Sequence, residues 1–320
     1  MRRREVIGGA LACCWIGTAV AQPRPRIAIL HSGFPHRTLI EQLYAALLDL
    51  GHEHGRTADI QLLGAEGDPD RLTSFVAQLI QEHPQVIIAV TSPAALALKR
   101  ANVTTPVVFL FVSDPIRLGL IESLPRPGGN YTGVTFSDAF IGAKRLELLA
   151  DTVPGIRTVA VLWSAQFEEN AALVESIRNA GKRLSINITT IEIGGAARLP
   201  AAFDEAVTAR AQAVIFLTEN ALFDHRRTIA ELALARRLPS MHTYPPEVRD
   251  GGLISFCPDL GESYHRAAAL ADRVLKGGLP RDLPVEEPSR FTLSINMRTA
   301  ATLGLNVPGS VLMRADEVIE

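Results

Sequence analysis

The sequence predicts an α/β protein built as two Rossmann-like lobes with parallel central sheets, joined by a three-stranded hinge. From Pro23 onward, short apolar runs alternate with helical patterns, the signature of successive βα units around a parallel sheet. The alternation stops at a Pro/Gly-rich break, PRPGGNYTGV (125–134), and then restarts with similar size and order. A tail from Gly252 fits neither array alone. With 320 residues and 47% hydrophobic content, the chain has enough material for about two domains, each with its own core.

The first array reads as strands RIAIL (26–30), ADIQLL (58–63), VIIAV (86–90) and VVFLFV (107–112), with helices over Leu39–Leu50, Arg71–Glu82 and Ala94–Ala101. The second reads as TVAVLW (158–163), SINITTIEI (185–193), AVIFL (213–217) and a short SMH (240–242), separated by helices over 168–184, 200–210 and 222–237. The tail adds a strand GLISF (252–256), a helix Leu260–Lys276, the proline-punctuated GGLPRDLPVEEPSRFTLSI, and a last helix over Met297–Leu303. The economical arrangement has the chain recross between lobes near 256 and again near 285. Lobe I is then 22–134 plus 256–284, and lobe II is 135–255 plus 285–320. Such a hinge permits closure around a ligand.

The first 21 residues stand apart as an expected signal peptide. Arg2-Arg3-Arg4 is a charged leader, Val6–Val20 is mostly apolar and small, and Ala19-Val20-Ala21 fits a small-residue cleavage site. The apolar run is shorter than the roughly 20 residues of a spanning helix. This predicts export to the periplasm by the general secretory or twin-arginine route, with lipidation at Cys13 or Cys14 as the second choice. Cleavage after Ala21 leaves Cys257 as the sole cysteine, so no intramolecular disulfide is expected.

The formal charge of -2 and the absence of a basic stripe give no support to a nucleic-acid partner. No G-x-S-x-G elbow, P-loop or G-x-G-x-x-G occurs, so hydrolase, nucleotide and dinucleotide chemistries lack their usual signals. His52 and His54 in GHEHGR do not have a zinc spacing. Asp224-His225 with Arg226-Arg227 reads as a charged helix start, and Cys257, with no base indicated nearby, as a buried hinge residue. No metal, other cofactor or catalytic residue is expected.

In open parallel sheets, ligands bind outside the carboxyl ends of strands. Here those ends carry His31-Ser32, Thr91-Ser92 and Ser113-Asp114 in the first array, then Ser164-Ala165-Gln166, Thr218-Glu219-Asn220 and His242-Thr243-Tyr244 in the second. Each has a structural reading beside a functional one. Ser92 with Pro93 is a helix start, but the same amides, near the small Ala94 and Ala95, suit a carboxylate. Asp114 is either the head of an Asp-Pro turn or, with Glu219, a partner for an ammonium. Phe34, Trp163 and Tyr244 are either core residues or walls of a pocket.

These segments resemble a known family. TSPAALALKRA, VVFLFVSDPIRLGLIESLPRPGGNYTGVTF, KRLELLADTVPGIRTVAVLW and the closing LPVEEPSRFTLSINMRTAATLGLNVPGSVLMRADEVIE are similar to the tryptophan/tyrosine-type substrate-binding proteins of ABC importers, which have the type I periplasmic binding protein fold. The resemblance covers the mature chain and implies an exported receptor, working as a monomer, that delivers a small solute to a membrane ABC permease. It carries Thr91, Ser92, Asp114 and the crossover residue Thr135 over to the ligand site. SAQFEEN (164–170) and ISFCPD (254–259) depart from the family's usual turns. The expected ligand-binding residues are Ser32, Thr91, Ser92, Ala94, Ala95, Asp114, Thr135, Trp163, Gln166, Thr218, Glu219, Asn220 and Tyr244, around an amino-acid-like carboxylate. A sensory module for a membrane receptor, and an enzyme acting on a small carboxylated molecule, are the alternatives.

Overall fold

The structure is a computed structural model that describes residues 24–33, 37–135, 138–165, 168–217 and 220–320, apart from the side chains of 37–39, 138–139, 168–169 and 220–221. The expected signal peptide, Phe34, Gln166, Thr218 and Glu219 lie outside these residues. The first array is β1 (Arg26–His31), α1 (Arg37–Asp49), β2 (Asp59–Gly64), α2 (Pro69–Glu82), β3 (Val86–Val90), α3 (Ser92–Arg100), β4 (Val107–Val112) and β5 (Tyr131–Thr135). Among the described residues its strands form a parallel sheet in the order β2-β1-β3-β4-β5.

The second array is α4 (Asp138–Thr152), β6 (Thr158–Trp163), α5 (Glu168–Leu184), β7 (Asn187–Glu192), α6 (Leu199–Thr208), β8 (Ala213–Phe216), α7 (Asn220–Phe223), α8 (Arg226–Ala235), β9 (Ser240–His242) and α9 (Pro245–Arg249). It continues through β10 (Ile254–Pro258), α10 (Leu260–Leu275), β11 (Phe291–Asn296), α11 (Met297–Leu303), α12 (Gly309–Leu312) and β12 (Glu317–Ile319). Its sheet runs β12-β11-β10-β9-β8-β6-β7, with β10 and β11 antiparallel.

Both sheets are covered on two faces, which explains the continuous apolar strands. On β3 the alternation is visible residue by residue. Val86, Ile88 and Val90 pack with α1 and α10, whereas Ile87 and Ala89 pack with α2 and α3. The second sheet is flanked in the same way by α4 and α5 on one face and α6 and α8 on the other.

Several elements differ from the sequence reading, which did not include α9, α12 or β12. The Pro/Gly-rich stretch ends in a fully buried strand, β5, which is the edge of the first sheet. Gly133 makes this pairing close, since a Cβ there would sit 2.1 Å from the Phe109 carbonyl oxygen. The helix expected over 222–237 is two helices, α7 and α8.

The chain passes between the sheets three times. It leaves β5 for α4, leaves β10 for α10, which packs on β3, β4 and β5, and returns from Glu286 to β11. The passages are tied together: Thr135 N–H donates to Glu286 O (2.9 Å), and Asp259 N–H to Arg290 O (3.0 Å). Glu262 at the start of α10 accepts from the Ser289 hydroxyl (2.5 Å), the Arg266 guanidinium (2.8 Å) and Arg290 N–H (2.9 Å). Burial opposes ionisation of this carboxyl, but Ser289, Arg266 and the Arg290 amide outweigh it and hold its pKa down at about 2. Because β5 and β10 leave at their carboxyl ends and β11 enters beside Pro258, the passages join the carboxyl edges of the two sheets.

Candidate functional site

At the first sheet's carboxyl edge, β1 ends on His31 and Ser32. The His31 ring is buried, and Nδ1 accepts from Gly33 N–H at 3.0 Å. Burial drives its pKa down to about 4, against a smaller upward effect of the Gly33 bond, so near neutrality the ring is an uncharged acceptor that shapes the turn. Ser32 Oγ is 2.6 Å from Thr91 Oγ1, so the ends of β1 and β3 are joined side chain to side chain.

Thr91 is a β-branched residue at φ 85°, ψ 157°, a conformation that costs free energy and clusters at ligand sites. Its amide donates to Leu110 O at 2.8 Å. Its hydroxyl faces Ser32 and makes no cap bond to α3. Ser92 opens α3 with 3% exposure, and its Oγ has no hydrogen-bond partner among the described residues.

Ala94 and Ala95 are fully buried. The Ala95 amide, expected as a ligand donor, is instead bonded to Thr91 O at 3.3 Å. Helix geometry gives the first-turn amides of Ser92 and Ala94 no intrahelical carbonyl, and Pro93 has no N–H. Lys99 and Arg100 in the last turn match the opposite end of the helix dipole.

The pairing of β4 with β5 shifts register between Leu110 and Val112, and Phe111 stands between them at φ 58°. That irregularity sets the Phe111 ring edge-on to Tyr264 of α10, with centroids 5.4 Å apart. The Thr135 hydroxyl donates to the carbonyls of Val112 and Ser113. Asp114 is half-exposed, accepts from Arg117 N–H at 3.0 Å and lies 3.5 Å from the Arg117 guanidinium. The structure therefore gives Asp114 the turn role that the sequence held open.

At the second sheet's carboxyl edge, Trp163 is half-buried against the core, and Ser164 O accepts from Asn170 Nδ2 at 3.1 Å. The backbone of Asn220 starts α7. Tyr244 follows β9, half-buried, with its ring edge-on to Phe223 at 5.9 Å. Its amide donates to the buried Glu247 carboxylate at 2.6 Å, and the Thr243 amide to the same oxygen at 3.1 Å.

Burial first, and Tyr244 second, raise the pKa of the Tyr264 hydroxyl. Sequence reasoning did not single out Phe111, Tyr264 or Glu247. Of these only Tyr264 carried a usable signal, because it lies one turn into the helix that follows a crossover.

His52 and His54 serve the fold. His52 Nε2 is 2.9 Å from Asp272 Oδ1, and His54 Nδ1 accepts from Ile60 N–H at 3.0 Å. Among the described residues no group of three or more His, Cys, Asp or Glu could hold a metal ion. Cys257 is buried, and burial pushes its thiol up to about 12.

Comparison with known proteins places this architecture. The chain is 24% identical over 260 residues to a tyrosine-binding protein of Clostridioides difficile (strain R20291), covering 81% of this chain and 74% of that one. Among solved structures, an ABC domain in complex with L-Trp from Streptococcus pneumonia superimposes with a TM-score of 0.83 at 24% identity, covering 92% of this chain and all of that one. A conserved domain protein from Vibrio cholerae gives 0.85 at 23% identity, covering 92% and 99%. A more distant neighbour, a solute binding protein from Agrobacterium vitis with bound allitol, gives 0.63 at 18%, covering 87% and 96%. These likenesses identify the fold as that of type I periplasmic binding proteins. Residues 35–319 match the family model of ABC transporter substrate binding proteins, and the chain belongs to that family.

Proposed function

We propose that this substrate-binding protein captures a small carboxylated, amino-acid-like solute between its two lobes in the periplasm and, as a monomer, delivers it to a membrane ABC permease. The observation that carries the reading is the start of α3. A buried serine hydroxyl with no hydrogen-bond partner among the described residues lies there beside the first-turn amides of Ser92 and Ala94, at the positive end of the helix dipole. Neutral donors in that setting suit a carboxylate.

Glu219, and the half-exposed Asp114 in addition to its turn bond with Arg117, are the acids for an ammonium group, and Trp163 and Tyr244 the walls for a side chain. The names of the tyrosine-binding relative and of the L-Trp complex support an amino acid, while the allitol complex shows that the fold also holds polyols. In this reading lobe I is 22–134 plus 256–284 and lobe II 135–255 plus 285–320. Only a ligand touching both lobes favours the closed state, which gives specificity without chemistry. The family is one of binding proteins, not enzymes.

The test is a thermal-melting panel of L-amino acids, their carboxamides and polyols. A ligand that binds the native state raises the melting temperature by mass action. At least one amino acid is expected to do so and its carboxamide to fail. Stabilisation by polyols alone would overturn the reading.

A further inference from the structure

A chain of buried polar groups runs beneath the carboxyl end of β9. Ser240 and His242 alternate onto one face of that strand, and His242 Nε2 lies 2.9 Å from Ser240 Oγ. The Leu253 N–H also reaches that oxygen, at 3.4 Å. Across the ring, His242 Nδ1 faces Glu247 Oε1 at 3.6 Å and has no hydrogen-bond partner among the described residues. The other carboxylate oxygen receives the Thr243 and Tyr244 amides. His242 and Glu247 are both fully buried. Gly252 leaves the space the ring fills, since a Cβ there would stand 2.5 Å from it.

An N-terminal Glu reaching back to the helix-start amide is a common capping arrangement. Here, though, α9 is only five residues long, and a fully buried carboxylate is costly unless it is well paired. The carboxylate's two amide bonds do more than start a short helix. They fix the backbone from which Tyr244 projects at the ligand edge.

We infer that Glu247 is a positioning residue for ligand binding, holding the Thr243–Tyr244 turn in place through its two amide bonds, with the His242 ring, oriented by Ser240, facing its other oxygen. This rests on the reading of Tyr244 as a ligand contact. It also fixes a tautomer. Glu247 Oε1, 3.6 Å from Nδ1, belongs to an acceptor-only carboxylate, so the ring carries its proton on Nδ1 and Nε2 accepts from the Ser240 hydroxyl.

The experiment measures L-tyrosine and L-tryptophan binding by calorimetry for wild type, Glu247→Gln, Glu247→Asp and Glu247→Ala, with ligand-free melting and the ¹⁵N shifts of the His242 ring. The Gln oxygen can accept both amides and its NH₂ can donate to Nδ1, so Glu247→Gln is expected within about threefold of wild type, with the ring proton moved to Nε2. Glu247→Asp, one methylene too short, and Glu247→Ala are expected to bind about tenfold or more weakly while melting cooperatively. Should the Ala variant not fold, the Gln and Asp pair decides.

Wild-type affinity in Glu247→Asp, equal weakening in Gln and Asp, or an Nε2–H tautomer in wild type would each overturn the inference. If wild type binds neither, the same variants are titrated with the amino acid that stabilises wild type in the melting panel; the amino-acid reading fails only if none does, and the His242 tautomer then decides the chain by itself.

Discussion

At the scale of single residues, Ser92 separates binding from stability. Its hydroxyl is buried without a partner among the described residues, so Ser92→Ala removes a desolvated polar group and leaves the ligand-free melting temperature unchanged or slightly higher. If the hydroxyl serves the solute, the same variant binds about tenfold more weakly. A variant that melts lower yet binds normally would make Ser92 a fold residue.

His31 gives a pH prediction with a definite sign. Its pKa is about 4 in the folded chain against 6.5 as a free side chain. Between those values the unfolded chain holds a proton that the folded chain lacks, so the contribution is complete above pH 6.5 and is lost as pH falls toward 4. His31→Asn keeps an acceptor for Gly33 and does not titrate. Urea unfolding at pH 7, 5.5 and 4.5 is expected to show a shallower acid loss in the variant than in wild type.

The hydroxyls and alanines of this edge were legible in the sequence because strand ends are positions, and positions follow from periodicity. The Thr91 torsion and the loss of the Ala95 amide to Thr91 O were not, since both depend on how the β1 and β4 ends press on the turn.

Among the elements, β5 shows how tertiary packing overrides local composition. PRPGGNYTGV reads as a break, and its first half is one. Tyr131–Thr135 is nevertheless a buried edge strand, because Gly133 lets the backbone approach Phe109. Gly133→Ala is therefore expected to destabilise the protein by about 2 kcal/mol or more, because the obstacle is a backbone carbonyl. Chemical denaturation measures it, and a loss below about 0.5 kcal/mol would contradict the packing described here.

Helices α7 and α8 read as one because nothing in the apolar spacing marks the break at 224–225, and β12 is too short for any periodicity to show. At the crossovers, Glu262 joins α10 to the returning passage through Ser289, Arg266 and Arg290. Since its pKa is lowered, its contribution is present above pH 4.5 and is lost as pH falls toward 2. Glu262→Gln is expected to lower the melting temperature at pH 7, with the difference from wild type shrinking on acidification through that window. A difference constant with pH would assign the effect to packing.

On the scale of the molecule, the two βα arrays and the return of the tail to both sheets were readable because parallel sheets buried on both faces leave uninterrupted apolar runs at regular spacing. The pairing of the three passages was not, since Thr135, Asp259, Glu286 and Arg290 meet only when distant segments come together. The same limit applies to the site. Its first-sheet half follows from residues near one another in sequence, whereas the edge-on contact of Phe111 with Tyr264 joins a strand and a helix about 150 residues apart that no local pattern relates.

The central claim is that the carboxyl edges of the two sheets enclose a carboxylated amino acid held at the start of α3. Calorimetric titration with the amino acid that most raises the melting temperature and with its carboxamide, in wild type and in Ser92→Ala, tests it most directly. The account predicts saturable one-to-one binding of the amino acid to wild type, about tenfold weaker binding to Ser92→Ala and none of the amide. Equal binding of acid and amide, unaffected by Ser92→Ala, would contradict it.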